Sequence, residues 1–137
     1  MSTSDATHEF LHPRNWKRAK GYSNGVAAEG RMVFVAGQIG WNADQQFESL
    51  DFVAQVRQAL ENIVAVVQEA GGRCEHVTRL TWFITDKAEY LSRLPEVGAA
   101  YRSVMGKHFP AMTMVQVTAL IEDRARVEIE ASAVVPR

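Results

Sequence analysis

The sequence predicts an α+β fold, a mixed sheet with two helices on one face. Three observations predict it. Apolar residues make up 47% of the 137 positions and charged residues 23%, the balance of a chain with a real core. Two stretches, beginning near Phe52 and near Ala88, repeat their apolar residues at helical spacing. Short β-branched and aromatic runs surround them in the order β-β-α-β-α-β-β, and packing both helices against one side of a sheet is a standard layer solution for such an order.

Each element follows from local pattern. Residues 1–20 are polar, carry Pro13 and show no periodicity, so they are expected to form a loose leader ahead of one domain over residues 21–137. Tyr22 to Ala28 and Met32 to Ala36 are apolar runs separated by Glu29-Gly30, which predicts a β-hairpin. Phe52, Val53, Val56, Leu60, Ile63, Val64 and Val67 form one helical stripe, with Asp51 or Ser49 available as a cap and Gly71-Gly72 as a stop. His76 to Thr85 alternates as a strand. The second helical stretch runs from about Ala88 to Lys107, and Pro95 inside it predicts a break. Met112 to Ile121 and Val127 to Val135 close the chain as strands, with Glu128, Glu130 and Ser132 on one face of the last.

Composition excludes several classes of function. A net charge of −1 offers no global field for nucleic acid, and Arg14, Lys17, Arg18 and Lys20 read as a solvated lead-in. The one cysteine, Cys74, can close no internal disulfide, which fits a reducing, cytoplasmic compartment. No Cys/His spacing suggests zinc, and no cofactor motif is present; Gly37 and Gly40 lack the lysine of a phosphate loop. The first ten residues lack the apolar stretch of a signal peptide, and no apolar run approaches the ~20 residues of a membrane span.

Among single residues, His108 stands just before Phe109-Pro110 and is a candidate proton carrier. Trp41 is a candidate aromatic cleft wall. Trp82 sits in a β-run and is expected in the core, and Cys74 has no matched base nearby and is expected to be inert.

A set of short segments then carries a family resemblance. Gly21-Tyr22, Val35-Ala36-Gly37-Gln38-Ile39, Gln55 through Asn62, Glu69-Ala70-Gly71, Thr81 through Asp86, Phe109-Pro110-Ala111 and Val127 through Ala131 occur in order. Together they resemble the RidA/YjgF family, also known as L-PSP. The resemblance implies a chorismate-mutase-like fold and a homotrimer with a central barrel, with a small-molecule cleft at each subunit interface. It also implies hydrolysis of reactive enamines and imines such as 2-aminoacrylate, although some relatives are described as ribonucleases or translation inhibitors. Tyr22 falls on the family's cleft tyrosine and Glu128 on a glutamate that holds or activates water. Gly37, Gln38 and Thr113 fall in motif segments expected to line the cleft.

One position departs from the pattern. The signature segment in active relatives reads Pro-Ala-Arg-Thr or Pro-Ala-Arg-Ser, whereas here Pro110-Ala111-Met112-Thr113 puts a thioether in place of the arginine. A guanidinium forks two hydrogen bonds to a carboxylate; methionine offers a soft apolar surface and no donor. The reading is therefore a RidA-like hydrolytic deaminase of an atypical substrate, with Met112 as an apolar wall. The alternative is a trimeric ligand-binding or regulatory module without chemistry. Arg14, Arg18, Arg73 and Arg79 are candidates to replace the missing cation.

Overall fold

The computed structural model describes residues 8–137. In chain order its elements are strands β1 (His8–Leu11), β2 (Gly25–Ala28) and β3 (Arg31–Ile39), helix α1 (Phe52–Glu69), strand β4 (Val77–Ile84), helices α2 (Lys87–Ser92) and α3 (Leu94–Met105), and strands β5 (Ala111–Gln116) and β6 (Val127–Val135). A four-stranded mixed sheet in the order β3-β6-β4-β5 is antiparallel except for the parallel pair β4-β5. Helices α1 and α3 pack on one of its faces and on each other.

Helix α1 forms because its sequence supplies both a start and a buried stripe. Asp51 accepts the Ala54 N–H at 3.1 Å, which satisfies one of the donors a helix leaves free at its first turn. Val56, Ala59, Leu60, Ile63 and Val67 are fully enclosed against the sheet, each of the larger ones contributing roughly 1.5–3 kcal/mol by burial. Gln55 is buried on the same face and spends its whole amide. It donates to the carbonyls of Ser49 and Arg124 and accepts the Arg126 N–H at 2.8 Å, so α1 fixes the turn that leads into β6. The expected break at Pro95 is present: α2 ends at Ser92, Arg93 leaves helical geometry, and Pro95 occupies the first turn of α3, where its missing N–H costs no helical bond. The Arg93 side chain bridges the two helix starts by pairing with Asp51 and Glu96 at 2.7 Å each.

Three expectations are corrected. The leader is not loose throughout: residues 1–7 lie outside the described residues, but His8–Leu11 pairs antiparallel with Gly25–Ala28. Backbone pairing there overrides the lack of any side-chain period, and His8 Nε2 adds a bond to the Val134 carbonyl at 2.9 Å. The expected hairpin between the first two runs does not form either. Strand β2 pairs with β1, while β3 pairs with β6, whose Val135 carbonyl lies against Gly30. The strand from Met112 stops at Gln116, because its partner β4 ends at Ile84 and the Val117 N–H makes the last bond, to the Ile84 carbonyl. No helix among the described residues is long and apolar enough to cross a membrane.

Candidate functional site

The start of β5 brings the site together. Gly21 takes a positive φ of 76°, a backbone turn that suits glycine. The chain then lies alongside β5. The Ser23 N–H donates to the Pro110 carbonyl at 3.0 Å, its hydroxyl donates to the Phe109 carbonyl, and Ser23 bridges Ala111. This pinning sets Tyr22 beside Met112. Met112 and Met114 pair with Leu80 and Trp82 of β4, both buried in the core. The two methionines therefore face the helix side of the sheet, since side chains alternate along a strand.

Between that strand edge and α3 is a cavity of about 500 Å³. Its floor is Met112 and Met114, and its walls are the rings of Tyr22, Trp82, Tyr90, Tyr101 and Phe109. Tyr101 stacks on Phe109 with centroids 5.4 Å apart, and its hydroxyl donates to the His108 carbonyl at 2.6 Å. Burial pushes the phenols of Tyr90 and Tyr101 up, so both stay neutral donors. The Trp82 indole N–H is buried with no acceptor among the described residues. Two cations reach the rim, Lys20 and Arg102. None of the four arginines expected as substitutes borders the cavity. Arg102 escaped the sequence reading because it follows the apolar stripe of α3 as an ordinary exposed helix residue. Its signal is Gly98, four positions earlier.

Glu128 lies on the other side of the sheet. It pairs with Phe83, while the next residue, Ile129, pairs with Trp82 and is buried under the helices. Beside it, β3 slips register between Val35 and Gln38. The slip places Gly37 under the Glu128 side chain so closely that a Cβ at position 37 would stand 2.0 Å from Glu128 Oε2. The candidate residues of one chain thus fall into two separate groups: Tyr22 with Met112 on the helix side, and Gly37 with Glu128 on the open side. Thr113 is exposed on the open side with Glu130 across β4. That face also exposes Met32 and Phe34.

Three expected site residues lie outside this cavity, each with contacts of its own. His108 lies outside the cavity. Its ring is half-buried against Phe10, and Nε2 donates to the Val77 carbonyl at 2.7 Å. Trp41 packs on Phe47 at the far end of β3, and its carbonyl accepts the Asn62 amide at 2.9 Å. Gln38 folds back to donate to the Ala36 carbonyl across the slip, at 3.0 Å. Cys74 is half-buried, with its thiol pushed up by desolvation and by Glu75. Among the described residues no three His, Cys, Asp or Glu side chains converge as metal ligands.

Comparison with known proteins gives this arrangement a family. The model of the endoribonuclease L-PSP family matches residues 14–135. The chain is 34% identical over 126 residues to a RutC family protein of Pasteurella multocida, covering 92% of this chain and 97% of that one. It is also 34% identical over 108 residues to the 2-iminobutanoate/2-iminopropanoate deaminase of Escherichia coli K12, covering 77% and 80%. Among solved structures, it matches a Rid family protein of unknown function from Yersinia pestis with a TM-score of 0.84 at 27% identity, over 94% of this chain and 99% of that one. A YjgF/YER057c/UK114 family member from Mycobacterium tuberculosis matches with a TM-score of 0.63 at 39% identity, over 84% and 87%. Segment order, sheet topology and relatives agree, and the chain belongs to the RidA/YjgF family, the endoribonuclease L-PSP family of the matching model.

Proposed function

We propose that this protein is a hydrolytic deaminase of an enamine or imine metabolite, acting at a cleft between identical subunits of a homotrimer. The observation that carries the reading is the Glu128 carboxylate over Gly37, on a sheet face that is open in the single chain. The Tyr22–Met112 half-site faces the opposite way, so one substrate touches both halves only if a neighbouring copy brings its Glu128 to this chain's Tyr22. Cover for the exposed Met32 and Phe34 comes from the same association.

The chemistry needs one base and one orienting group. Glu128 takes a proton from water as the water oxygen bonds to the imine carbon. Glu128 hands that proton to the nitrogen, which completes a neutral carbinolamine, and then takes the hydroxyl proton as the carbonyl forms and passes it to the nitrogen, so that the C–N bond breaks and ammonia leaves. An enamine first takes a proton on carbon and gives one up from nitrogen to become the imine. Tyr22 orients the substrate and Met112 provides an apolar wall. The deaminase activity in the name of the Escherichia coli relative supports this class of reaction, and the lone, half-buried thiol of Cys74 supports a reducing cytoplasmic setting.

The test supplies imines made in situ from amino acids by an amino-acid oxidase and follows ammonia release above the spontaneous rate. The protein accelerates release, and Glu128→Gln lowers the acceleration by at least about a hundredfold, the usual contribution of a general base, with the oligomer intact. One observation favours a second reading: Met112 has no donor for a carboxylate, which suits a binding module that has lost the chemistry. Ligand binding with no acceleration on any imine would select it. A net charge of −1 weighs against a ribonuclease.

A further inference from the structure

The cavity beside Met112 has a feature that the family resemblance did not supply. Along a helix, residues four apart stack, and side chains lean towards the N-terminus. Arg102 on α3 therefore lies back over Gly98, with Nη1 3.2 Å from where a Cβ on Gly98 would stand. Both residues border the cavity. Glycine inside a helix costs about 0.5–1 kcal/mol relative to alanine, and here its bare surface lets the guanidinium come close to the helix at the rim. Neighbouring arginines are engaged, Arg93 with Asp51 and Glu96 and Arg126 with Glu89. The Arg102 side chain has no hydrogen bond or ion pair among the described residues.

The geometry points to Arg102 as the carboxylate-binding residue of this site, and to a ligand whose acid group is joined to a bulky aromatic or apolar body. A cation on the helix and a thioether on the strand leave the space between them apolar. At about 500 Å³ that space falls within the range of drug-sized ligand pockets, more than a small 2-imino acid fills. The rings of Tyr22, Tyr90 and Phe109 offer faces and edges for an aromatic body, and the guanidinium forks onto the carboxylate. The inference rests on the proposed reading of this cavity as the substrate site, but is tested by binding alone.

Calorimetry on the full chain uses phenylacetate, its neutral isostere phenylacetamide, and acetate. Phenylacetate binds, and the amide and acetate bind at least tenfold more weakly. Arg102→Gln lowers phenylacetate affinity at least tenfold, about 1.4 kcal/mol, and leaves the amide unchanged. Gly98→Leu, which lifts the guanidinium, gives the same loss, while Arg57→Gln on the exposed side of α1 gives none. Absence of phenylacetate binding, equal binding of acid and amide, or an Arg102→Gln protein that binds like wild type overturns the inference. The two readings separate cleanly. If Glu128→Gln keeps full imine hydrolysis while Arg102→Gln loses phenylacetate, the proposed chemistry falls and Arg102 stands. If hydrolysis needs Glu128 but phenylacetate binding ignores Arg102, the inference falls by itself.

Discussion

The carboxylate of Glu128 occupies the space that a side chain at Gly37 would need. Gly37→Ala must therefore displace the glutamate. The nearest atoms are the far end of a flexible chain, so folding loses under about 1 kcal/mol, in the range of surface changes. Activity that depends on the carboxylate falls at least about tenfold. Thermal melts and imine turnover measured on the same preparation check both halves; a fully active Gly37→Ala protein removes Glu128 from the site.

Met112→Arg tests the strand position directly. Pro110 and Thr113 are unchanged, so the strand is already placed, and an arginine stem follows much of the methionine path into the cavity. Turnover of a small 2-imino acid rises at least about tenfold, which needs only about 1.4 kcal/mol of added transition-state binding. Adding Glu128→Ala abolishes the gain. A folded variant that gains nothing means the cavity has diverged at more than one position.

Light scattering of the purified protein gives a mass about three times the 15.3 kDa chain. Phe34, 75% exposed on the open sheet face, is the place to break that assembly. Phe34→Glu puts a charge into the proposed interface, and its desolvation is costly without a partner. The variant runs at lower mass and loses imine turnover, because each cleft needs residues from two copies. A wild-type monomer with full turnover rules out the shared cleft.

Acid stability is set in part by His108. Burial holds its imidazole below the ordinary value of 6.5, while the Val77 carbonyl and Glu75 oppose that and His8 and His76 add to it. The unfolded chain then takes up this proton more readily than the folded one. Stability is full above pH 6.5 and is lost as pH falls through the lowered value. Thermal midpoints measured from pH 8 to pH 5 decline on the acid side, and His108→Gln flattens that decline.

The helices and the central strands were legible because their signals are local. The stripe from Phe52 to Val67, the cap at Asp51 and the break at Pro95 each act within a few residues. Strand partners were not legible: β2 chose β1 over β3 through long-range backbone bonds that leave no trace in the pattern of Tyr22 to Ala28. The site divided in the same way. Motif nominates Glu128 and position 112, and their placement on opposite sheet faces follows only from the register of β4 with β6 and β5. His108 looked available in sequence and is taken up by Val77. Arg102 looked like ordinary helix surface, and only the bare Gly98 beside it marks the difference.

The amide of Gln55 bonds the chain on both sides of the turn at Ala125, at Arg124 and Arg126, two residues before Glu128. The return into β6 is therefore clamped after the loop has ended. What lies upstream, between Val117 and Asp123 with Ile121 wholly exposed at its tip, can change length without moving the carboxylate. That makes the loop a place to graft a tag, a reporter or a new recognition segment onto the protein while its chemistry stays in register.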